Sequence, residues 1–333
     1  MTENEFLLQD RLGVIRDTIN KYGEENFYIA FSGGKDSTVV HHLFDMALPE
    51  NRIPRVFSNT GIEYNAIVEF VRGMMKEDDR IVMIQPSKNI KKTLEEKGYP
   101  FKSKLYSEHY RIYLNNKDAS DKMFDYIEEH PELKYDFNFI ANLERGVKLP
   151  VKYYFGIEEK DGELVKAGML KSFPKVLHYQ WGSGAERLNI SDKCCLEMKE
   201  KPLDKWKREN KKPHRIIGLM REEGGRRQNA KCKAFKNGKL SFHPLVVASK
   251  EWEEWFIKEF NIPLCKLYYE PFNFDRTGCK GCPFNVNIGR ELETLERYMP
   301  NERKQCEYIW KPVYDEYRRI GYRLKKDEQT KLL

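Results

Sequence analysis

Residues 27–38 read Phe27-Tyr28-Ile29-Ala30-Phe31-Ser32-Gly33-Gly34-Lys35-Asp36-Ser37-Thr38. The first five predict a short buried strand, because aromatic and β-branched side chains favour strands. Two glycines then permit a tight turn, and the polar residues after Lys35 suit the first turn of a helix. A strand, a glycine turn and a helix start bring free amides and the positive end of a helix dipole to one place. The stretch therefore predicts an anion site, with these candidate ligand-binding residues: Ser32, Gly33, Gly34, Lys35, Asp36, Ser37 and Thr38.

The loop differs from the G-x-x-x-x-G-K-[ST] loop of common nucleoside triphosphatases, because it has no second glycine at that spacing. Ser-Gly-Gly-Lys-Asp-Ser instead resembles the PP-loop of the adenine-nucleotide alpha-hydrolase superfamily. The resemblance implies that ATP or another adenine nucleotide binds through its phosphates and that ATP is cleaved between the α and β phosphates. It also implies that Lys35 adds positive charge and that Ser32 and Ser37 donate hydrogen bonds. Asp36 or Glu63 would help to hold Mg²⁺.

The 333-residue chain is 40% hydrophobic and 33% charged, with a mean hydropathy of −0.74. These values predict a soluble protein with a real core, formed by one large domain with additions or by two domains. No apolar run is long enough for a membrane span, and the N-terminus lacks signal-peptide features, so we expect a cytoplasmic protein. The net charge of +7 permits RNA or DNA as a partner without requiring either. The oligomeric state stays open, with a homodimer as one alternative.

Alternating strands and helices predict the fold class. Continuous apolar runs at 27–31, 55–59, 80–85 and 215–220 are typical of buried strands, and apolar periodicity predicts helices between them and over 5–21. This pattern predicts an α/β protein with a parallel sheet that carries helices on both faces. Ligands of such sheets bind beyond the carboxyl ends of the strands. At the end of the second strand, the candidate nucleotide-binding residues are Asn59, Thr60 and Gly61, and Glu63 is a candidate catalytic residue.

The chain divides into four predicted segments. Residues 1–104 form the first part of the α/β domain, 105–175 a helical insertion or lid, 176–285 the second part of the domain, and 286–333 a helical C-terminal tail. The insertion is rich in aromatic and charged residues. We predict that its aromatic side chains form a core; the alternative is a surface on which nucleic-acid bases stack.

Four of the seven cysteines form a pattern that suits a metal centre. Cys194 and Cys195 are adjacent, and Cys279 and Cys282 form a C-x-x-C pair further along the chain. Four thiolates can hold a [4Fe–4S] cluster or a zinc ion. Consecutive side chains diverge, which suits the separated iron corners of a cluster better than one small ion; zinc and plain buried thiols stay as alternatives. The other three cysteines are predicted to be buried apolar residues: Cys232, Cys265 and Cys306.

The segments around these cysteines resemble the phosphoadenosine phosphosulfate and adenosine phosphosulfate reductase family. The matching features are Cys194-Cys195 with Lys199, Gly218-Leu219-Met220-Arg221, Cys279-x-x-Cys282, Asn59-Thr60-Gly61-x-Glu63 and His243-Pro244-Leu245. The resemblance covers roughly residues 27–104 and 190–284. It implies sulfur chemistry on a nucleotide and a [4Fe–4S] cluster. The family's reductases attack sulfur with a cysteine in a C-terminal Glu-Cys-Gly segment, which this sequence lacks; Cys306, the last cysteine, falls in a predicted helix.

Three arginines follow the predicted strand 215–220. Arginine suits a bidentate grip on phosphate or sulfate oxygens, and the carboxyl end of this strand shares an edge with the PP-loop. Arg221 is therefore a candidate catalytic residue, and Arg226 and Arg227 are candidate nucleotide-binding residues. The alternative is a solvated loop.

These features support a PP-loop enzyme with an adenine nucleotide and a [4Fe–4S] cluster as the leading hypothesis. Its candidate catalytic residues are Lys35, Asp36, Glu63 and Arg221, and its partner would be a sulfur donor or a reductant protein. A sulfonucleotide reductase is the first alternative, and it would need Cys232 or Cys306 as nucleophile. A nucleic-acid-associated module with a structural cluster is the second.

Overall fold

The computed structural model describes residues 1–148, 151–154, 157–166, 188–224 and 227–325, with backbone only at 153, 154 and 223. These residues form two compact units. The first comprises Met1–Ile90 and Cys195–Lys280, and the second the described residues of Lys91–Cys194 and Gly281–Leu333. The four-segment division made from the sequence stays a prediction.

The described strands are β1 (Phe27–Phe31), β2 (Arg55–Ser58), β3 (Ile81–Ile84), β4 (Ile157–Lys160), β5 (Glu163–Lys166), β6 (His214–Ile216), β7 (Lys233–Lys236) and β8 (Lys239–Phe242). Six of them build one sheet in the first unit, in the order β3-β2-β1-β6-β8-β7. All neighbours in this sheet run parallel except β7, which pairs antiparallel with β8. The sheet is mostly parallel, which confirms the predicted α/β class.

The described α-helices are α1 (Glu3–Tyr22), α2 (Lys35–Ala47), α3 (Asn65–Glu77), α4 (Ile90–Lys97), α5 (Lys104–Asn115), α6 (Lys117–Glu129), α7 (Phe137–Val147), α8 (Val151–Tyr154), α9 (Lys201–Glu209), α10 (Lys250–Glu259), α11 (Ile288–Tyr298) and α12 (Pro300–Ile320). A π-helical turn, Leu196–Glu200, leads into α9. Within the described ranges, none of the helices is both long and apolar enough to cross a lipid bilayer.

The core of the first unit lies between the sheet and helices α1, α2 and α10. Ile29 on β1 and Val40 and Phe44 on α2 have no exposed surface. Trp252 of α10 joins the same cluster and donates a hydrogen bond from Nε1 to the carbonyl of Asn4, at 3.1 Å. Because both β1 and the inner face of α2 are buried, the turn between them is held on a rigid base.

The second unit contains helices from α5 to α8, the β4–β5 hairpin, α11 and α12. Its core includes Phe101, Ile127 and Val313, which are fully buried. Of the aromatic residues of the predicted insertion, Tyr106 and Tyr110 belong to this core. Others are 43–49% exposed: Tyr126, Tyr135 and Phe137. The prediction of a core role therefore holds for part of the aromatic set.

Two hairpins were not predicted. β7 and β8 meet at Asn237-Gly238, and β4 and β5 at Asp161-Gly162, where all four residues have positive φ, between 50° and 82°. Asn-Gly and Asp-Gly are the preferred dipeptides of tight hairpin turns, so the sequence did carry a signal. The strand predicted at 215–220 is shorter than expected, since β6 ends at Ile216.

Candidate functional site

The predicted anion loop joins β1 to α2. Gly33 has φ +69°, a conformation that a side chain disfavours. A Cβ on Gly33 would also lie 2.8 Å from a methyl carbon of Val71, on α3. The glycine is therefore needed both for the turn and for the close approach of α3.

Hydroxyl groups hold this loop together from inside. The hydroxyls of Ser32 and Ser37 are 3.0 Å apart, and Ser32 Oγ accepts from the amide of Gly34 at 3.3 Å. Ser37 and Thr38 donate from their hydroxyls to the carbonyl of Gly34, at 2.9 and 3.0 Å. The structure thus brings together all of the predicted loop residues, and their binding roles stay predictions.

Tyr268 and Thr277 also contact the loop, and sequence reasoning gave neither of them a role. The amide of Lys35, the first residue of α2, donates to Tyr268 Oη at 3.1 Å, and this hydroxyl lies 2.7 Å from Thr277 Oγ1. A Cβ on Gly34 would lie 3.2 Å from each of three hydroxyls, those of Ser32, Tyr268 and Thr277. The segment before Cys279 therefore forms one wall of the loop.

Lys35 forms a buried ion pair with Glu253, on α10. The carboxylate of Asp36 lies beside this pair and interacts with both partners. Burial lowers the pKa of Lys35, but the hydrogen bond and charge of Glu253 outweigh burial and raise it overall. Burial and then the charge of Asp36 raise the pKa of Glu253 to about 7, against the opposing effect of Lys35. The helix start thus carries one ammonium group between two carboxyl groups.

The residues predicted at the end of β2 form a second cluster. Glu63 is buried, and its carboxylate accepts from the amide of Thr60 at 2.8 Å and from the Thr60 hydroxyl at 2.8 Å. Asn59 Oδ1 accepts from the amide of Gly61 at 3.1 Å. A cleft of about 300 Å³ opens here, lined by Asn59, Gly61, Glu63, Asn65, Val68, Glu69 and Arg72. The Mg²⁺ role given to Asp36 or Glu63 stays a prediction.

Lys199 lies close to Glu63 and to two of the cysteines that are predicted to bind the [4Fe–4S] cluster, Cys195 and Cys279. Its ammonium lies 3.5 Å from Glu63 Oε1 and donates a hydrogen bond to Cys279. The pKa of Lys199 is raised, first by Cys279 and then by Glu63 and Cys195. Burial raises the pKa of the Cys279 thiol, and the charge of Lys199 opposes that shift. The Lys199 ammonium thus contacts Cys279 and lies within electrostatic reach of Cys195, and such a cation suits thiolate ligands at these two positions.

The C-x-x-C segment is anchored to the end of β2 by its backbone. Cys279 pairs with Glu63 in an antiparallel bridge, and the amide of Lys280 donates to the carbonyl of Ile62 at 2.8 Å. Cys195 and Cys279 belong to the first unit, while Cys194 and Cys282 belong to the second. A site formed by all four cysteines stays a prediction.

The predicted arginines follow β6, on the same edge of the sheet as the loop. Arg221 is exposed, and its Nε donates to the carbonyl of Ala230 at 2.8 Å. A Cβ on Gly218 would lie 2.8 Å from the carbonyl oxygen of Asp36, so the backbone after β6 packs directly against the start of α2. Arg227 is half-buried, and Arg226 lies outside the described residues. Their phosphate-binding role stays a prediction.

The three remaining cysteines differ in accessibility. Cys306 and Cys265 are buried, at 0% and 1% exposure, as predicted. The prediction of full burial is wrong for Cys232, which is half-buried because it packs at the margin of the core of the first unit, with its sulfur 3.9 Å from a guanidinium nitrogen of Arg11. Of the two candidate nucleophiles, only Cys232 has exposed surface.

One further group of potential metal ligands involves α2 and the segment between α3 and β3. Ligand atoms of His41, Asp45 and Asp78 lie within 4.8 Å of one another. Both carboxylates, however, are already bound by Arg80, at 2.8 Å in each case. We therefore regard this group as a structural charge network rather than a metal site.

The strand order, together with the glycine turn and helix start after β1, defines the class of PP-loop α/β proteins. The sequence-family model of the phosphoadenosine phosphosulfate reductase domain matches residues 26–118 and 123–285, which is well over half of the chain. The chain therefore belongs to the phosphoadenosine phosphosulfate reductase domain family, and the family resemblance found in the sequence is confirmed.

A curated relative matches only in part. Over 100 residues, the chain is 30% identical to an uncharacterized protein of Methanocaldococcus jannaschii, and the match covers 29% of this chain and 24% of that protein. The chain thus spans about a quarter of the length of that relative.

Two solved structures show distant likeness. The phosphoadenylyl-sulfate (PAPS) reductase from Candida auris, a phosphate complex, has a TM-score of 0.41 at 11% identity, covering 80% of this chain and 91% of that one. The NH3-dependent NAD synthetase from Campylobacter jejuni subsp. jejuni, in complex with a nitrate ion, has a TM-score of 0.37 at 12% identity, covering 95% and 96%. Because both TM-scores are below 0.5, the assignment of the fold rests on the strand order and the family match.

Proposed function

We propose that this chain is a PP-loop enzyme that binds ATP at the start of α2, adenylates an acceptor and supports sulfur transfer to it. The observation that carries the proposal is the loop itself. A buried strand, a glycine in a positive-φ conformation and the start of a helix converge at one edge of a mostly parallel sheet. Family membership adds nucleotide chemistry to this geometry.

The phosphates would bind to the loop amides and the positive end of the α2 dipole. The glycine at position 34 keeps a side chain out of the place where a phosphate oxygen would approach the backbone. Lys35 would supply a positive charge, and Arg221 and Arg227 would approach from the segment after β6. Asp36 would hold Mg²⁺, which offsets phosphate charge when it is bound.

The reaction would proceed in two displacements. An acceptor oxygen attacks the α phosphorus of ATP, the bond to the bridging oxygen breaks, and pyrophosphate leaves with that electron pair. The acceptor then carries AMP, and a sulfur nucleophile from a donor protein or sulfide displaces AMP. The loop residues position the phosphates and stabilise the developing charge on pyrophosphate.

A [4Fe–4S] cluster is the proposed resident cofactor, with Cys194, Cys195, Cys279 and Cys282 as its ligands. When bound by all four cysteines, it would supply a fixed charge to the site. The pairing of Lys199 with Cys279 supports thiolate ligands at this place.

A sulfonucleotide reductase is the second candidate, and one observation favours it. Cys232 keeps some exposure, and its sulfur lies 3.9 Å from a guanidinium nitrogen of Arg11. Against it, Cys265 and Cys306 are too buried to act as the mobile nucleophile that such a reaction needs.

Nucleotide turnover on anaerobically purified protein tests the proposal. We expect ATP binding, and pyrophosphate release once a competent acceptor is supplied, with no sulfite from phosphoadenosine phosphosulfate or adenosine phosphosulfate in the presence of thioredoxin. Sulfite release that is lost in Cys232→Ser would instead establish the reductase. Steeply salt-dependent RNA or DNA binding, without ATP binding or turnover, would support the nucleic-acid module.

A further inference from the structure

Glu253 is a carboxylate in the core of the first unit that the proposed chemistry does not use. Its side chain has 0% exposure, and Oε2 pairs with the ammonium of Lys35. Its other oxygen, Oε1, has no hydrogen-bond partner among the described residues. The side chain of Asp36 lies close enough to Glu253 to act on it both as a like charge and through a side-chain hydrogen bond. A buried carboxylate with an unsatisfied oxygen destabilises a fold. Packing therefore gives no reason for a glutamate at this position.

The helix that carries Glu253 is rigidly held. Ser249 caps the start of α10, where its hydroxyl accepts from the amide of Trp252 at 3.1 Å. Trp252 and Phe256, on either side of Glu253, are buried at 2% and 0% exposure in the core cluster. The carboxylate is therefore fixed in place opposite the start of α2.

Lys35 has two carboxylates within electrostatic reach, those of Glu253 and Asp36. It pairs with Glu253, and its side chain keeps 16% exposure beside the loop. A lysine side chain is flexible, so without the charge of Glu253 its ammonium would be drawn to Asp36. That new pair would occupy both of the charged groups that the loop offers to a nucleotide and its cation.

We propose that Glu253 is a positioning residue of the PP-loop, which holds the Lys35 ammonium away from Asp36 and so keeps both groups available to the phosphates and their cation. This inference rests on the proposed function, since it assigns Glu253 a part in nucleotide binding. Tyr268 completes the arrangement from the other side, because its hydroxyl accepts from the amide of Lys35.

At about pH 8, above the pKa of about 7 that burial gives Glu253, Glu253→Gln is the sharpest test, because glutamine keeps the size and one acceptor oxygen but removes the charge. We expect ATP with Mg²⁺ to bind about tenfold more weakly, within the coupling range of contacting charged residues. In a Lys35→Met background, the same substitution should change affinity by less than about twofold, because Glu253 acts through Lys35. Calorimetric titration measures ATP affinity for the wild type, Glu253→Gln, Lys35→Met and the double variant, which together form a double-mutant cycle.

The controls separate positioning from stability. Glu254→Gln changes the exposed neighbour on the same helix and should leave ATP affinity unchanged. Glu253→Asp keeps the charge on a shorter side chain and should recover part of the affinity. Thermal unfolding of Glu253→Gln should show a folded protein, because the Lys35 ammonium that loses its partner keeps 16% exposure and has Asp36 within electrostatic reach.

Two outcomes would overturn the role of Glu253 and leave the proposed function intact. One is unchanged ATP affinity in Glu253→Gln, and the other is equal weakening with and without Lys35, which indicates a general structural effect. If the wild-type protein binds neither ATP nor pyrophosphate, the proposed function itself fails, and the role of Glu253 fails with it.

Discussion

At the residue scale, the two glycines of the loop, Gly33 and Gly34, are each required, but for different physical reasons. Gly33 supplies a positive φ that other residues rarely adopt, whereas Gly34 has an ordinary extended conformation, with φ −81° and ψ 163°. Any residue could adopt the backbone of Gly34, so the requirement there is space. The hydroxyls around it leave no room for a larger side chain.

Gly34→Val should abolish ATP binding while the protein stays folded. The branched side chain would fill the space where a phosphate must approach the loop amides. Titration with ATP measures the loss, and circular dichroism checks the fold. Gly13→Val on α1 is the matched control, because a Cβ on Gly13 meets nothing within 4 Å. Unchanged affinity in a folded Gly34→Val protein would show that the loop is only structural.

Gly281→Ala should destabilise the second unit. Gly281 has φ +63°, and a Cβ there would lie 2.5 Å from Tyr314 Oη and 2.7 Å from Cys306 Sγ. Strain at positive φ and overpacking together should cost about 2–4 kcal/mol. Urea unfolding measures the free-energy change, and Gly146→Ala, where a Cβ meets nothing within 4 Å, serves as control. A loss below about 0.5 kcal/mol, the range of neutral surface changes, would contradict this packing argument.

At the scale of elements, a charge network ties α2 to the amino ends of β2 and β3. Arg55, at the start of β2, is fully buried, and its guanidinium donates to Asp45 of α2 at 2.6 Å and to Asn51 at 2.7 Å. Arg80, before β3, binds the same carboxylate at 2.8 Å. This network lies at the opposite end of the strands from the loop, so its contribution is to stability.

Asp45→Asn should destabilise the protein by about 3 kcal/mol at pH 7, because it leaves the guanidinium of Arg55 buried without its counter-charge. Burial alone would raise the pKa of Asp45, but Arg80 and Arg55 outweigh burial and lower it. A lowered pKa contributes stability above the unfolded-state value, near 4, that is lost as the pH falls through the native pKa. The difference between Asp45→Asn and wild type should therefore shrink below pH 4.

Denaturant unfolding at pH 7 and pH 3 measures this difference. Asp79→Asn is the matched control, because its pair with Arg52 is exposed, at 73% and 71% of the side chains. Such a pair contributes at most about 1 kcal/mol. Equal effects of the two substitutions at pH 7 would rule out the buried network as a source of stability.

Sequence periodicity predicted the strands and helices whose own residues form an apolar pattern. It missed the strands that are defined only by pairing with another part of the chain. Buried parallel strands such as β1 and β2 appear as continuous apolar runs, and their alternation with helices gave the α/β class. β7 is polar and lies at the sheet edge, where only its antiparallel partner β8 defines it. Its Asn237-Gly238 turn was the local signal that could have revealed it.

At the scale of the whole molecule, the predicted and missed site residues differ in sequence separation. The loop from Ser32 to Thr38 is contiguous, so its motif could be recognised directly. Glu253 and Tyr268 contact Lys35 from more than 200 positions away, and only folding of the chain brings them there. A glutamate at a helix position facing the core was the one local sign, since charged residues are rarely fully buried without a partner.

The cysteine pattern yields a prediction that concerns the whole molecule, because its four residues come from distant parts of the chain. Anaerobically purified protein should be brown and should contain about four irons per chain, as a [4Fe–4S] cluster requires. Cys195→Ser should lose the iron, because it removes a thiolate ligand beside Lys199. Cys232→Ser should keep the iron, since Cys232 packs against the core of the first unit, with Arg11 as its polar neighbour. Metal analysis and visible absorption distinguish the outcomes: stoichiometric zinc without iron would exclude the cluster, and equal iron loss in both variants would show that the cysteine assignment is wrong.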